Sequence, residues 1–359
     1  MKEKALYIGI MSGTSLDGVD VVLCEIDALR CKCLASLVYP MPLTLKNDIL
    51  HSIEHPCTLL EIGELDHRLG LLFAKAVKAL LQSHDTKASE ITAIGSHGQT
   101  LWHSPQGKYP FSMQLGDANI MSTETQIPVV ADFRRKDMAL GGQGAPFAPA
   151  FHAFAFADMP HRVAVVNIGG MANITVLGSP LIGYDIGCGN VLMDTWIHRH
   201  KNLSYDQDGT WARSGKVDEV LLAKMLQDRY FTLPYPKSTG REKFNQSWID
   251  EVLSEHSSAK IEDVQRTLLE LTAITIANEV STFTPHTLLV CGGGVKNRFL
   301  LERIGCLLPK VCVSIAPHAD DIEAMTFAWL AQQRIAKQKV NLKDVTGATH
   351  NAILGAIYL

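Results

Sequence analysis

The sequence predicts an α/β protein built as two similar halves. Three observations carry this. Strand-like apolar runs alternate with helically spaced ones through the first half, and the second half begins again in the same style. "YIGIMSGTSLDGVDVVLCEI" and "VVNIGGMANITVLG" both read as strand, Gly-centred turn, strand, with Gly9 and Gly169 about half a chain apart. The 359 residues are long for one domain and comfortable for two. The division expected is 1–132 for the first domain and 133–339 for the second, with 340–359 returning to the first.

In order, "ALYIGI" and "DVVLCEID" read as strands around the opening loop. From Thr58 to His84, Leu65, Leu69, Leu72, Phe73, Ala76, Val77, Leu80 and Leu81 recur at helical spacing and predict one buried face. "ITAIGSHG", "FSMQLG" and "IPVVADF" read as strands, and "DMALGGQGAPFAP" as a Gly/Pro-rich interdomain hinge. "RVAVVNI", "MANITVLG" and "LIGYDIGC" continue as strands, followed by a helix with Asn190 at its N-cap. Helices are expected over Asp218–Tyr230, Gln246–His256 and Asp263–Ser281. "TLLVCGGG" is a buried strand ending in glycines before a further helix. "KVCVSIA" is a strand, "DIEAMTFAWLAQQRIAKQ" a helix, and the apolar tail a last strand.

Composition is ordinary for a globular protein, at 47% hydrophobic and 19% charged residues, with a net charge of −4. That balance argues against nucleic acid as a partner, because phosphate neutralisation needs a basic face. The apolar stretch near the N-terminus is too short for a signal peptide or membrane span, so no membrane partner is expected. Most of the eight cysteines lie in apolar strand-like runs and read as reduced thiols of a cytoplasmic protein. No Cys-x-x-Cys or His-Glu-x-x-His spacing offers a zinc site.

Three strand-ending glycine turns stand out: "GIMSGTSLDG", "NIGGMANIT" and "CGGGVKN". Each is either a tight hairpin or a nest of N–H groups for phosphate. None is a Walker A or Gly-x-Gly-x-x-Gly loop. Three together in repeated halves favour a nucleotide. Ser12, Thr14 and Ser15 offer hydroxyls to phosphate oxygens, and Asp17 or Asp20 a carboxylate to a magnesium-bound water.

With "SHGQTLWHSP", "ADFRRKDMALGGQGAPFAP", "STGREKF" and "DIEAMTFAWLA" added, the motifs resemble the anhydro-N-acetylmuramic acid kinase family, in its order and along essentially the whole chain. The resemblance implies a two-domain actin-like ATPase fold of ribonuclease H-like repeats, with ATP in the interdomain cleft. It implies a cytoplasmic, Mg²⁺-dependent and commonly dimeric kinase of peptidoglycan recycling. ATP and water would convert 1,6-anhydro-N-acetylmuramic acid into N-acetylmuramic acid 6-phosphate and ADP. Ser12, Gly13, Thr14, Ser15, Leu16, Asp17, Gly18 and Val19, with Gly169, Gly170, Gly292, Gly293 and Gly294, would then border ATP.

Water must add at C1 while O6 takes the γ-phosphoryl group. Glycoside hydrolysis ordinarily uses two carboxylates. When phosphorus captures the leaving oxygen, one carboxylate acting on water suffices. Asp185 in "YDIGCGN" is the candidate base; the residues alone read equally as a turn aspartate satisfying local N–H groups. Arg134 would grip the lactyl carboxylate as a bidentate fork, or form a hinge salt bridge. His97 and Gln99 would contact sugar or water, and Glu323 either the sugar or its helix dipole.

The family reads Asp-Thr-Gly-Pro-Gly-Asn where this chain has Ile186 and Cys188 for Thr and Pro. A looser loop and a lost hydroxyl are expected, so that restoring Thr and Pro raises turnover or lowers the sugar KM. Two rivals stand beside this reading: a sugar kinase of the same fold acting on a free hydroxyl, and, from a different class, a non-catalytic nucleotide-dependent module.

Overall fold

The computed structural model describes residues 4–13, 16–159, 161–254 and 259–359. The chain forms two compact units, Met1–Ala155 with Asp321–Leu359, and Phe156–Asp320. The first runs β1 (Ala5–Ser12), β2 (Gly18–Ile26), β3 (Cys31–Pro40), α1 (Leu43–Glu54), α2 (Leu59–Ser83), β4 (Ile91–Ser104), β5 (Phe111–Leu115), α3 (Ala118–Thr125), β6 (Val129–Ala131), α4 (Phe133–Ala139) and α5 (Ala148–Ala155). The second holds β7 (Val163–Ile168), β8 (Met171–Val176), β9 (Ile182–Cys188), α6 (Val191–Lys201), α7 (Thr210–Ser214), α8 (Glu219–Leu226), α9 (Gln246–Leu253), α10 (Ile261–Phe283), β10 (Thr287–Cys291), α11 (Arg298–Leu307) and β11 (Cys312–Ile315). The chain then returns to the first unit with α12 (Ile322–Ile335), α13 (Lys343–Thr346) and β12 (Ala356–Tyr358).

Both sheets are wound alike. In the first, β3-β2-β1 are antiparallel neighbours, β4 lies parallel to β1, and β6 parallel to β4. In the second, β9-β8-β7 are antiparallel, β10 lies parallel to β7, and β11 parallel to β10. This shared order of three antiparallel strands and two parallel additions is the ribonuclease H-like repeat. The faint sequence repeat therefore reflects real topology, but its alignment is offset. Gly169 follows the end of β7, whereas Gly9 lies inside β1 and Gly13 is the residue that follows it.

The predicted amphipathic helix is α2, with all eight named apolar residues in the core beneath the sheet. Thr58 caps it, accepting from the Glu61 amide while Glu61 reaches back to the Thr58 N–H. On the opposite sheet face lies α12, and two glycines let it come close. Gly9 and Gly95 are register partners on β1 and β4. A Cβ on Gly9 would sit 2.8 Å from the Ala328 nitrogen and closer still to the Ala324 carbonyl, while one on Gly95 would sit 2.7 Å from the Phe327 carbonyl carbon. Gly9 thus serves helix packing rather than the opening loop.

The unit boundaries differ from the 132/133 and 339/340 divisions expected from sequence, because α4, α5 and α12 pack together within the first unit. Phe327 meets Phe133 and Phe147, and Trp329 meets Phe151 and Phe154. The Gly/Pro-rich stretch read as a hinge is pinned there too. The Gly144 amide donates to Asp137, whose other oxygen accepts from Thr346, and the Gln143 amide donates to the Thr346 carbonyl.

Candidate active site

In the first unit the opening loop is anchored by Leu16, a non-glycine residue at φ 55° whose amide bonds the Gly13 carbonyl. Leu16 and Val19 bury their side chains in the core, so only their backbone groups remain for a ligand. Thr14 and Ser15 lie outside the described residues. Ser12 does not offer its proton to phosphate in this structure: its hydroxyl donates to Gln99 Oε1 at 2.6 Å, tying the loop to β4. Asp17 is exposed and 3.3 Å from Lys46. Asp20 pairs with Met11 on the α12 face of the sheet, opposite Val19 and Val21, and is only partly exposed. Glu323 is exposed in the first turn of α12.

His97 and Arg134 come together. Arg134 donates from Nε and Nη2 to His97 Nε2, at 3.2 and 2.8 Å, so the imidazole proton sits on Nδ1 and is donated to the Gly98 carbonyl at 2.7 Å. Burial and the guanidinium charge pull His97 down to about 3, which keeps it a neutral acceptor. Burial also lowers Arg134 to about 10. Its Nη1 donates to the Gly144 carbonyl and its face lies over Phe147. Among the described residues no carboxylate pairs with it, and one N–H on each terminal nitrogen has no protein acceptor, so no hinge salt bridge is made there.

In the second unit a polar row crosses the sheet at one level: Cys291 opposite Asn167, Asn167 opposite Asn173, Asn173 opposite Asp185. Asp185 stands on edge strand β9, with its backbone and one carboxylate oxygen held. Its amide donates to the Lys237 carbonyl, and its own carbonyl accepts from Tyr230. Its Oδ2 accepts from the Ser238 hydroxyl at 2.8 Å and the Thr239 amide at 3.1 Å. Burial raises its pKa, the two donors oppose that, and Glu242 adds to it. Lys237 is itself fixed by a buried pair with Glu279, which also accepts from Tyr184.

The β7–β8 turn carries Gly169 and Gly170, where an added Cβ would meet nothing nearer than 3.5 Å, and Gly293 opens on empty space. Backbone can be approached closely there. Gly292 is at φ 78°, and Gly294 is packed against Ile168. Asn190 stands at the start of α6 but makes no side-chain cap; its amide group donates to the Ile168 carbonyl.

Ile186 and Cys188 are not in a loose loop. Both are buried strand residues in the core beneath the sheet, on the face opposite Asp185. The turn after them is tied to the β7–β8 turn by the amides of Gly189, Asn190 and Val191, which donate to the Gly169 and Gly170 carbonyls. A hydroxyl at 186 would point into the core, which overturns the expectation that its loss weakens substrate contact.

Sequence reasoning missed the partners of Asp185. Ser238 and Thr239 lie within the quoted "STGREKF", whose adjacent hydroxyls before a glycine were the available signal. Arg241 in the same motif approaches Gly170 and lowers the pKa of Asp194, which burial nonetheless raises to about 7.

The model of the family described as anhydro-N-acetylmuramic acid kinase matches residues 5–359. The chain belongs to that family. It is 61% identical over 357 residues to the anhydro-N-acetylmuramic acid kinase of Sulfurovum sp. (strain NBC37-1), covering 99% of each chain. It is 50% identical over 363 residues to that of Sulfurimonas denitrificans (strain ATCC 33889 / DSM 1251), covering 98% of this chain and 99% of the other. Among solved structures, component A of (R)-2-hydroxyglutaryl-CoA dehydratase from Acidaminococcus fermentans aligns with 93% of this chain and 100% of its own, at 12% identity and a TM-score of 0.48.

Proposed function

We propose that this chain uses ATP and water to open 1,6-anhydro-N-acetylmuramic acid and phosphorylate O6, giving N-acetylmuramic acid 6-phosphate and ADP in peptidoglycan recycling. The observation that carries the reading is Asp185: a fixed carboxylate with one oxygen held by two donors and the other, among the described residues, without a hydrogen bond. Its raised pKa suits a general base, whose efficiency grows as its pKa approaches working pH. Asp185 takes a proton from water as the oxygen bonds C1. The C1–O6 bond breaks, and O6 takes the phosphoryl group. Arg134 supports an acidic sugar, because its two spare N–H groups match a carboxylate and no acid among the described residues pairs with it.

ATP would lie against the backbone of Gly13 and Gly18 and of the Gly169–Gly170 and Gly292–Gly294 turns. The open space over Gly293, and the absence of any contact nearer than 3.5 Å at Gly169 and Gly170, fit close approach of a ligand. Asp17 and Asp20 supply the hard oxygen donors that Mg²⁺ takes. We assign the metal-bound water to Asp20, which stands half-buried near the loop end of β2, whereas Asp17 is exposed. Mg²⁺ would neutralise charge on the phosphates. Gln99 holds Ser12, and Glu323, exposed in the first turn of α12, would be a sugar contact. No helix among the described residues is long and apolar enough to cross a membrane, and a cytoplasmic homodimer is the state the resemblance supports.

The test is turnover of 1,6-anhydro-N-acetylmuramic acid with ATP in ¹⁸O-labelled water. Label at C1 with phosphate at O6 is expected. Phosphorylation with the bridge intact, or none, overturns the reading. Asp185→Asn abolishes turnover while sparing ATP binding.

A further inference from the structure

The free oxygen of Asp185 raises the question of what holds the water it acts on. The Lys237–Thr239 segment covers the edge of β9 and meets Asp185 through backbone and side chain. Both donors to the carboxylate land on Oδ2, and among the described residues Oδ1 makes no hydrogen bond. Beside this anchor, Thr239 Oγ1 is buried and has no hydrogen-bond partner among the described residues. A buried hydroxyl left without a partner is costly, and such groups in a native fold mark a bound water or a ligand contact.

We propose that Ser238 and Thr239 are positioning residues for the hydrolytic half of the reaction: they fix Oδ2 so that Oδ1 faces the nucleophilic water, and the Thr239 hydroxyl holds that water. One O–H of the water is accepted by Asp185 Oδ1 and the other by Thr239 Oγ1, leaving an oxygen lone pair for C1. As the oxygen–C1 bond forms, the proton passes to Oδ1. The C1–O6 electron pair goes to O6, which bonds the γ-phosphorus as ADP leaves. The proton on Asp185 is then released to solvent. This assignment rests on Asp185 being the base.

It makes a prediction that a structural role would not. Thr239→Val keeps the shape and removes an unsatisfied polar atom, so the full-length protein should melt at the same temperature or higher. With ATP and the 1,6-anhydro sugar, kcat should fall roughly 10- to 100-fold while both KM values stay within about twofold, because water orientation acts only on the chemical step. Thr239→Ser, which restores the hydroxyl, should recover most of the turnover. Ser238→Ala removes a donor to the charged carboxylate and should move the acid limb of the kcat/KM profile to higher pH by roughly half a unit. Near wild-type kcat in Thr239→Val overturns the proposal, as does a loss shared equally by Thr239→Ser with a lowered melting temperature, or an unmoved acid limb in Ser238→Ala. Asp185→Asn separates the two claims. If it is inactive while Thr239→Val is not, only the positioning role fails; if it turns over, the base assignment itself fails.

Discussion

Gly9→Ala tests whether the first glycine of the opening motif belongs to the nucleotide loop or to the fold. The new Cβ would lie 2.8 Å from the Ala328 nitrogen, against the 3.4 Å at which ordinary contact begins, and it meets the Ala324 carbonyl more tightly. Both obstacles are helix backbone, which cannot swing aside as a side chain can. Helix α12 must therefore back away from β1 by at least about 0.6 Å, thinning the contacts of Phe327 and its neighbours. Overpacking of this kind costs about 1–3 kcal/mol, and a rigid backbone obstacle places it near the upper end. For a unit of this size that lowers the melting temperature by roughly 6–12 °C. Thermal and urea unfolding of the purified variant measure it, and the KM for ATP should move little at temperatures where the variant is folded. An unchanged melting temperature with a raised ATP KM would falsify the packing assignment and return Gly9 to the loop. Gly95→Ala, facing the Phe327 carbonyl, should behave alike.

Ile186→Thr should not raise turnover, even with Cys188→Pro beside it; burying its hydroxyl in the core costs ~1–3 kcal/mol, read by urea unfolding. His97→Phe removes the acceptor that holds Arg134, and should raise the KM for 1,6-anhydro-N-acetylmuramic acid by roughly tenfold while leaving 1,6-anhydro-N-acetylglucosamine, which has no carboxylate, unaffected. His97 is held neutral down to about pH 3, so its contribution to stability is present above the unfolded value of 6.5 and is lost as pH falls from there toward 3. The His97→Phe variant should lose less stability over that window in pH-dependent urea melts. Asp194 runs the other way. Its pKa is raised to about 7, so its carboxyl favours the fold below the unfolded value near 3.8 and loses that advantage as pH rises through 7; Asp194→Asn should be the more stable protein at pH 8.

Local pattern determined much of this protein. The spacing of Leu65, Leu69, Phe73 and Leu80 drew α2 and its buried face, and Thr58 with Glu61 marked its start. Period-2 and all-apolar runs placed β1, β2, β4 and β7 through β11, because burial imposes itself on each residue of a strand in turn. The family motifs carried Asp185, Arg134 and His97 in the same way. The edge strand β3 (Cys31–Pro40), largely apolar yet with no buried residue, and the helices α1 and α3–α5 were not marked out in this way, and only their partners define them.

What tertiary structure alone decided lies in contacts between residues far apart in the chain. Gly9 answers to a helix some 315 residues later, so no local reading could separate packing from phosphate binding. The Gly/Pro stretch after Ala139 looks like a hinge until Thr346 bonds Asp137. Ile186 looks like a neighbour of the base until strand alternation turns it to the opposite face. Ser238 and Thr239 acquire meaning only when their segment closes over the edge of β9. A sequence states which groups are present; their hydrogen-bond partners depend on the closure of long loops, which nearest-neighbour chemistry does not encode.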